Sequence, residues 1–441
     1  MSPTLPVVVI GAGPVGLAAA AELVRRDQDV LVLEAGPTPA DAVQRWGHVR
    51  LFSPWEQLVS PAAAALLAPT GWQQPPSGTY PTGAQWAHDY LAPLAAVLGR
   101  RVRTGHRVVG VARQDRDLLV DSGRPDQPFA VHVEGPRGLE RILARAVVDA
   151  SGTLDRPNPL GSEGYPVPGE RELAEHIRYA MPDRGTDRAR YAGRATAVVG
   201  SGASALTALL ALTREPVHTG TSRVVWVLRR PGVAKALGGG AADELAARGA
   251  LGQHVRAAVD AGLVEVVTGF RTAAVEQQPD GLRLVATDGR TVEGIDEVVA
   301  TTGFRPDLSF LSEVRLDLDE RLQSPRGLAG SIDPNLHSCG SVAPHGHDVL
   351  EMPEGGLYLA GLKSYGRAPT FLAQTGYEQV RSIAAALAGD LASAAAVELT
   401  LPDTGVCGGA GLFDDAGADA GGCCGGPTVP SSPVPVGILV P

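Results

Sequence analysis

Two glycine clusters in this chain have the spacing that binds the phosphates of a dinucleotide. The first fingerprint is Gly11-Ala-Gly13-Pro14-Val-Gly16, and the second is Gly200-Ser-Gly202-Ala-Ser204-Ala205. In such a cluster the first glycine allows a tight turn and the second lets a pyrophosphate approach the backbone. The third position must be small so that a helix packs on a strand. Two fingerprints predict two dinucleotides, and hence an enzyme that transfers electrons.

The segments around each fingerprint predict the strand, turn and helix that would position it. Val7–Ile10 and Thr196–Val199 are apolar β-branched runs that end at the glycines, and an Ala/Leu-rich helical pattern follows each fingerprint. Free N–H groups at the start of each helix would hold the phosphates. We therefore predict an α/β fold with two Rossmann-like dinucleotide-binding domains.

Charged residues at two strand ends predict which nucleotide each site takes. Glu34 follows the run Val30–Leu33, where a carboxylate meets a ribose 2′-hydroxyl and repels a 2′-phosphate, so the first site suits the ADP half of FAD or NAD. Arg229 and Arg230 follow the run Val224–Leu228, where paired guanidiniums can grip a 2′-phosphate, which favours NADPH. The alternatives are a surface carboxylate and a solvated strand end.

Length and charge narrow the class of protein. A chain of 441 residues suits two or three domains, and a net charge of −10 argues against a nucleic-acid-binding surface. The apolar stretch from Val7 to Leu23 is interrupted by glycines and a proline, and no signal peptide is indicated. We expect a cytoplasmic protein without a membrane partner, and a homodimer is one option for its assembly.

Three further segments resemble those of two-dinucleotide-binding flavoproteins. Ala146–Gly152 and Glu297–Phe304 resemble the strands that close the nucleotide domains of that family, and Leu357–Gly361 resembles its last FAD-contacting strand. The resemblance implies FAD in the first unit and NADPH in the second. It also implies a helix from Pro369 whose N-terminus points at the flavin. The implied cofactor contacts include three glycines: Gly152, Gly303 and Gly361.

The same resemblance implies a discontinuous FAD domain with an inserted NADPH domain. We predict an FAD-binding domain of residues 1–160 and 305–395, an NADPH-binding domain of 190–304, and a disordered, flexible Gly/Ala/Pro-rich tail of 396–441 that contains cysteines. In the family, the segment after the first βαβ unit lies beside the flavin ring. The predicted flavin neighbours are therefore Phe52, Ser53, Pro54 and Trp55, with plain core packing as the alternative.

The positions of the cysteines indicate which acceptor receives the electrons. Cys339, Cys407, Cys423 and Cys424 are the only ones, and none belongs to a CxxC or CxxxxC pair beside a fingerprint. Flavoproteins similar to thioredoxin reductase pass electrons to such a dithiol. We therefore predict transfer to dioxygen or directly to a bound substrate.

The layout resembles that of class B flavin monooxygenases. Tyr191-Ala-Gly193-Arg194 and Thr302-Gly-Phe304 resemble family motifs, but the identifier FxGxxxHxxx(Y/F/W) is absent, and His176–Tyr179 is one residue short of its spacing. The resemblance implies that NADPH reduces FAD, that dioxygen adds to the flavin as a hydroperoxide, and that the distal oxygen passes to a soft nucleophilic centre.

The tail predicts what that centre is. Adjacent Cys423 and Cys424 resemble the cysteine pair of mercuric reductases, and Trp46–Trp55 and Lys363–Pro369 resemble flavin monooxygenases of arsenic-resistance operons. Thiolates on a flexible tether suit a soft ion, so arsenite, methylarsenite or antimonite is the expected substrate. The predicted catalytic residues are Cys339, Cys423, Cys424 and Lys363. The predicted metalloid ligands are Cys339, Cys407, Cys423 and Cys424.

Several alternatives stay open at this point. The tail cysteines could be incidental, and a second soft-ligand cluster could form from His337, Cys339, His345, His347 and Asp348. The alternative functions are a metal-ion reductase of mercuric-reductase type, an S- or N-oxygenase of a small organic substrate, and a flavin-based redox sensor.

Overall fold

The computed structural model describes residues 5–238, 246–336, 342, 345–368 and 371–398. The strands of these residues are, in chain order, β1 (Val7–Ile10), β2 (Val30–Leu33), β3 (Val102–Arg103), β4 (Arg107–Arg113), β5 (Phe129–Gly135), β6 (Gly138–Ala144), β7 (Ala146–Asp149), β8 (Ile177–Arg178), β9 (Ala195–Val199), β10 (Arg223–Val227), β11 (Glu265–Val267), β12 (Thr272–Gln278), β13 (Gly281–Ala286), β14 (Thr291–Ile295), β15 (Glu297–Ala300) and β16 (Leu357–Leu359). The α-helices are α1 (Pro14–Arg25), α2 (Asp41–Gln44), α3 (Pro61–Leu67), α4 (Gly83–Trp86), α5 (Ala92–Leu98), α6 (Arg188–Tyr191), α7 (Ala203–Leu212), α8 (Ala246–Asp260), α9 (Arg326–Ile332), α10 (His347–Leu350), α11 (Ala373–Leu387) and α12 (Leu391–Ala395).

Two five-stranded parallel sheets form the framework. The strand order is β16-β7-β1-β2-β3 in the first sheet and β11-β10-β9-β15-β8 in the second. Ile10 lies beside Leu33 and Asp149, so the ends of β1, β2 and β7 meet at one edge of the first sheet. The predicted α/β fold with Rossmann-like units is confirmed. The exact domain boundaries stay a prediction.

Each parallel sheet packs between helices and a three-stranded antiparallel sheet. Alternate side chains of β1, such as Val7 and Val9, join a core with α1, α3, α5 and α11, whereas Val8 and Ile10 join a core with β5. In the second sheet, Trp226 packs toward α7 and α8. The opposite face of this sheet packs against β12–β14. This two-sided burial explains why the strands are continuous apolar runs.

The helix predicted from Pro369 begins later. Its first residue is Ala373, because Leu372 is still extended, with φ −111° and ψ 143°. Pro369 itself lies outside the described residues, as does the predicted tail from residue 399 onward. None of the described helices combines the length and the apolar character that crossing a membrane requires.

Candidate cofactor-binding site

The first fingerprint adopts a conformation that needs glycine at two positions. Gly11 has φ +97°, and a Cβ there would lie 3.0 Å from the carbonyl oxygen of Ala150. A Cβ on Gly16 would lie 2.0 Å from the carbonyl oxygen of Gly11. The turn and the helix are therefore in direct backbone contact, as the sequence predicts for the first and third glycines.

Gly13 differs because no protein atom occupies the space beside it. A Cβ there would meet nothing within 4 Å, and Gly13 is the N-cap of α1, with Pro14 at the start of the helix. No side chain among the described residues caps this helix. Open space at a helix N-terminus fits the pyrophosphate of a dinucleotide, which would accept hydrogen bonds from the first N–H groups of α1.

Glu34 lies at the end of β2 and reaches the fingerprint. Its Oε2 accepts a hydrogen bond from the Ala12 N–H at 2.7 Å, and its Oε1 accepts one from the Gly36 N–H at 2.7 Å. The carboxylate is therefore fixed beside the turn. Carboxylate oxygens have further lone pairs, so Glu34 can also accept a hydrogen bond from a ribose hydroxyl.

The second fingerprint repeats this geometry with one change. Gly200 has φ +140°, and a Cβ there would lie 2.4 Å from the carbonyl oxygen of Thr301. Gly202, the N-cap of α7, again has no atom within 4 Å of a built Cβ. The third position is Ala205, which is fully buried, and Ser204 is exposed. This site also fits a pyrophosphate at a helix N-terminus.

Three arginines gather at the end of β10. Arg229 is exposed and Arg230 is buried. Protein atoms around the Arg229 guanidinium lower its pKa, and the positive charges of Arg230 and Arg271 lower it further. Within the described ranges, no carboxylate pairs with any of the three. A group of like positive charges favours an anionic ligand. Arg271, which precedes β12, was not among the residues predicted from the sequence.

The predicted flavin neighbours include a core residue. Trp55 is 4% exposed and packs in the core of the first sheet, whereas Phe52 and Ser53 are half-buried. Core packing, the alternative interpretation, thus accounts for the position of Trp55. Contact between these residues and a flavin stays a prediction.

The glycines after the strands lie at the same edges as the fingerprints. Gly361 has φ +68°, and a Cβ there would lie 3.1 Å from the Cβ of Val15; one on Gly376 would lie 2.5 Å from Val15 Cγ2. The start of α11 therefore packs against the first turn of α1. Gly152, with φ +72°, and Gly303, with φ +87°, follow β7 and β15.

Lys363 is buried at the end of β7. Its Nζ lies 3.2 Å from Asp149 Oδ2, and it donates hydrogen bonds to Ser151 Oγ at 3.0 Å and to the Asp307 carbonyl oxygen at 2.5 Å. The Lys363 side chain is 1% exposed and Asp149 is fully buried. The ammonium therefore makes two hydrogen bonds, and the Asp149 carboxylate balances its charge. The predicted catalytic role of Lys363 stays a prediction.

The predicted thiols lie outside the part of the chain that the structure describes. They are Cys339, Cys407, Cys423 and Cys424, and His337 also lies outside it. Among the residues that are described, no three His, Cys, Asp or Glu side chains form a metal-binding group. His345 Nε2 lies 2.7 Å from Gln379 Nε2, and His347 Nδ1 lies 3.4 Å from Ser382 Oγ.

Comparison with known proteins identifies the family. Residues 8–326, which include both fingerprints, match the pyridine nucleotide-disulphide oxidoreductase family. The chain belongs to this family. It is therefore an oxidoreductase, with FAD and NADPH as cofactors. No curated protein is similar enough in sequence to match the chain.

Solved structures share the fold at low sequence identity. A bacillithiol disulfide reductase from Bacillus cereus is 22% identical, with a TM-score of 0.66 and coverage of 88% of this chain and 99% of its own. A flavin monooxygenase variant from Stenotrophomonas maltophilia is 21% identical, with a TM-score of 0.52 and coverage of 88% and 98%. An ornithine N-hydroxylase from a Kutzneria species is 16% identical, with a TM-score of 0.55 and coverage of 89% and 98%. Reductases and oxygenases thus share this fold, so residues outside the common frame must decide the reaction.

Proposed function

We propose that this oxidoreductase is a monooxygenase that uses NADPH and dioxygen to oxidise a soft nucleophilic centre. The observation that carries the proposal is the position of the cysteines in the sequence, because none of the four lies in a pair beside either fingerprint. A disulphide reductase similar to thioredoxin reductase carries a thiol pair close in sequence to a fingerprint, and this chain has no such pair there. Bound FAD would take two electrons from NADPH and activate dioxygen for transfer of one oxygen atom.

The charges at the strand ends support the binding of a different dinucleotide at each fingerprint. Glu34 disfavours a 2′-phosphate, so we assign FAD to the first fingerprint. Arg229, Arg230 and Arg271 supply positive charge for the 2′-phosphate of NADPH at the second. The N–H groups at the starts of α1 and α7 would bind the two pyrophosphates.

The proposed substrate is a trivalent metalloid: arsenite, methylarsenite or antimonite. Cys423 and Cys424 would capture it, and Cys339 would receive it. Trivalent arsenic is thiophilic, whereas the pentavalent oxyacid is a hard anion. Two electrons from the metalloid and two from NADPH reduce dioxygen to the transferred oxygen atom and water. Oxidation would therefore weaken thiolate binding and release the product.

Oxygen dependence tests the reaction class. NADPH oxidation by the purified protein should rise with arsenite, methylarsenite, antimonite or an organic sulfide, and one oxygen atom from ¹⁸O₂ should appear in the product. Turnover without dioxygen would contradict the proposal. If only the sulfide is oxygenated, the enzyme is an S-oxygenase of organic substrates.

Cysteine variants test the substrate. Cys423→Ser/Cys424→Ser should keep FAD and raise the KM for the trivalent metalloid about tenfold, because hard hydroxyls replace soft thiolates. Cys339→Ser should lower kcat instead. Ser431→Ala/Ser432→Ala, an adjacent pair in the same tail without thiols, serves as the matched control. Wild-type kinetics in both test variants would remove the metalloid from consideration.

A reductase of a disulfide or a metal ion is the second candidate. The family description and the fold shared with bacillithiol disulfide reductase favour it. It requires anaerobic consumption of NADPH with an oxidised thiol or Hg²⁺ as the acceptor. The two candidates therefore predict opposite results when dioxygen is removed.

A further inference from the structure

The two segments that connect the parallel sheets run side by side. The outgoing linker, residues 150–158, follows β7, and the return linker, residues 301–307, follows β15. Pro157 and Phe304 form an antiparallel bridge, and the Asn158 N–H donates to the Gly303 carbonyl oxygen at 2.9 Å. The linkers therefore form one paired connection between the sheets.

Lys363 joins both linkers where they meet the first sheet. Its Nζ donates to Ser151 Oγ of the outgoing linker at 3.0 Å and to the Asp307 carbonyl oxygen of the return linker at 2.5 Å. Lys363 itself follows β16, a strand of the first sheet. One ammonium therefore fastens both connections to the first sheet.

Asp149 contacts both Ser151 and Lys363 at this junction. Its Oδ1 accepts hydrogen bonds from the Ser151 N–H at 3.0 Å and from Ser151 Oγ at 2.6 Å, while Oδ2 faces the ammonium at 3.2 Å. Ser151 therefore donates to Asp149 and accepts from Lys363. Because both charges are buried, neither is stable there without the other.

We propose that Lys363 is a positioning residue that sets the placement of the NADPH unit relative to the FAD unit. The proposal rests on the assignment of FAD to the first fingerprint and NADPH to the second. Electron transfer from the nicotinamide to the flavin requires the two rings in contact, and a misplacement of 1 Å can cost about 100-fold in rate. Lys363 acts on this step through the two linkers that it holds.

Anaerobic stopped-flow reduction of FAD by saturating NADPH tests this role. Lys363→Met should slow reduction about 10- to 100-fold, with FAD content and the Kd for NADP⁺ within about twofold of the wild-type values. Lys363→Met/Asp149→Asn removes both buried charges. It should recover thermal stability but not the reduction rate, which separates positioning from folding. Ser151→Ala, which keeps the ion pair, should give an intermediate loss.

Arg124→Met is the matched control. Arg124 Nη2 lies 2.6 Å from Glu354 Oε1 in another buried ion pair, and neither side chain belongs to a linker. This variant should lose stability and keep the reduction rate. Rates within twofold of the wild type in the double variant, or an equal loss in Arg124→Met, would overturn the proposal. Because dioxygen is absent, failure of the monooxygenase proposal leaves this result unaffected.

Discussion

The two fingerprints use the same backbone device and differ in the side chains around it. Gly13 and Gly202 both cap a helix beside open space, and Gly11 and Gly200 both take a positive φ. The first site then presents a carboxylate, whereas the second presents guanidiniums. We therefore propose that phosphate binding depends on the backbone and that the choice of nucleotide depends on the strand ends.

The third position of each fingerprint marks a second difference. Gly16 leaves no room for a methyl group, whereas Ala205 already carries one in the corresponding place. Helix α1 therefore packs more closely on its turn than α7 does. The first unit is expected to be the less tolerant of substitution.

The largest effect should come from blocking the open space. Gly13→Val should lower FAD affinity about 1,000-fold or more, because several charge-assisted hydrogen bonds to the pyrophosphate are lost. The flavin absorbance per mole of purified protein measures this loss of FAD. Gly202→Val is the matched control and should keep FAD while losing NADPH. Normal flavin content in Gly13→Val would show that the first fingerprint does not bind it.

Exchanging the third positions should give the next largest effect. Gly16→Ala should cost about 3 kcal/mol of stability, because its methyl group would meet the Gly11 carbonyl oxygen. Ala205→Gly should cost only about 1 kcal/mol, the usual difference in helix propensity. Urea unfolding of the two variants compares them. Equal losses would mean that the two helices pack alike.

Removing the guanidiniums of Arg229 and Arg230 should weaken the binding of NADPH alone. Arg229→Ala/Arg230→Ala should raise the KM for NADPH about tenfold and leave that for NADH nearly unchanged, because only the 2′-phosphate loses a partner. Arg271→Ala should give a smaller change in the same direction. Arg223→Ala, at the start of β10, where Arg223 pairs with Glu265 at 2.8 Å, is the control and should leave both KM values unchanged. A parallel loss for both nucleotides would place the arginines outside the 2′-phosphate site.

Local sequence patterns predicted strands of the two parallel sheets. The contacts between residues that are distant in the sequence were not predictable in this way. The strands β1, β9 and β15 were predictable because buried apolar runs lead directly to glycines or small residues, and β2 because a similar run ends at Glu34. The link from Lys363 to Ser151 spans 212 residues, and Arg271 approaches Arg229 only after the chain has folded. No periodicity in the sequence carries such information.

The strand order of the first sheet has a consequence for the order in which the chain can fold during synthesis. The second sheet has all its strands once residue 300 has left the ribosome, but the first sheet still lacks β16, its edge strand beside β7. Until residue 359 emerges, the backbone edge of β7 is unpaired, and until residue 363 emerges, Asp149 has no lysine partner. The unit that begins the chain is thus the last to be completed, and a nascent chain stopped between residues 300 and 357 exposes an edge that invites wrong pairing.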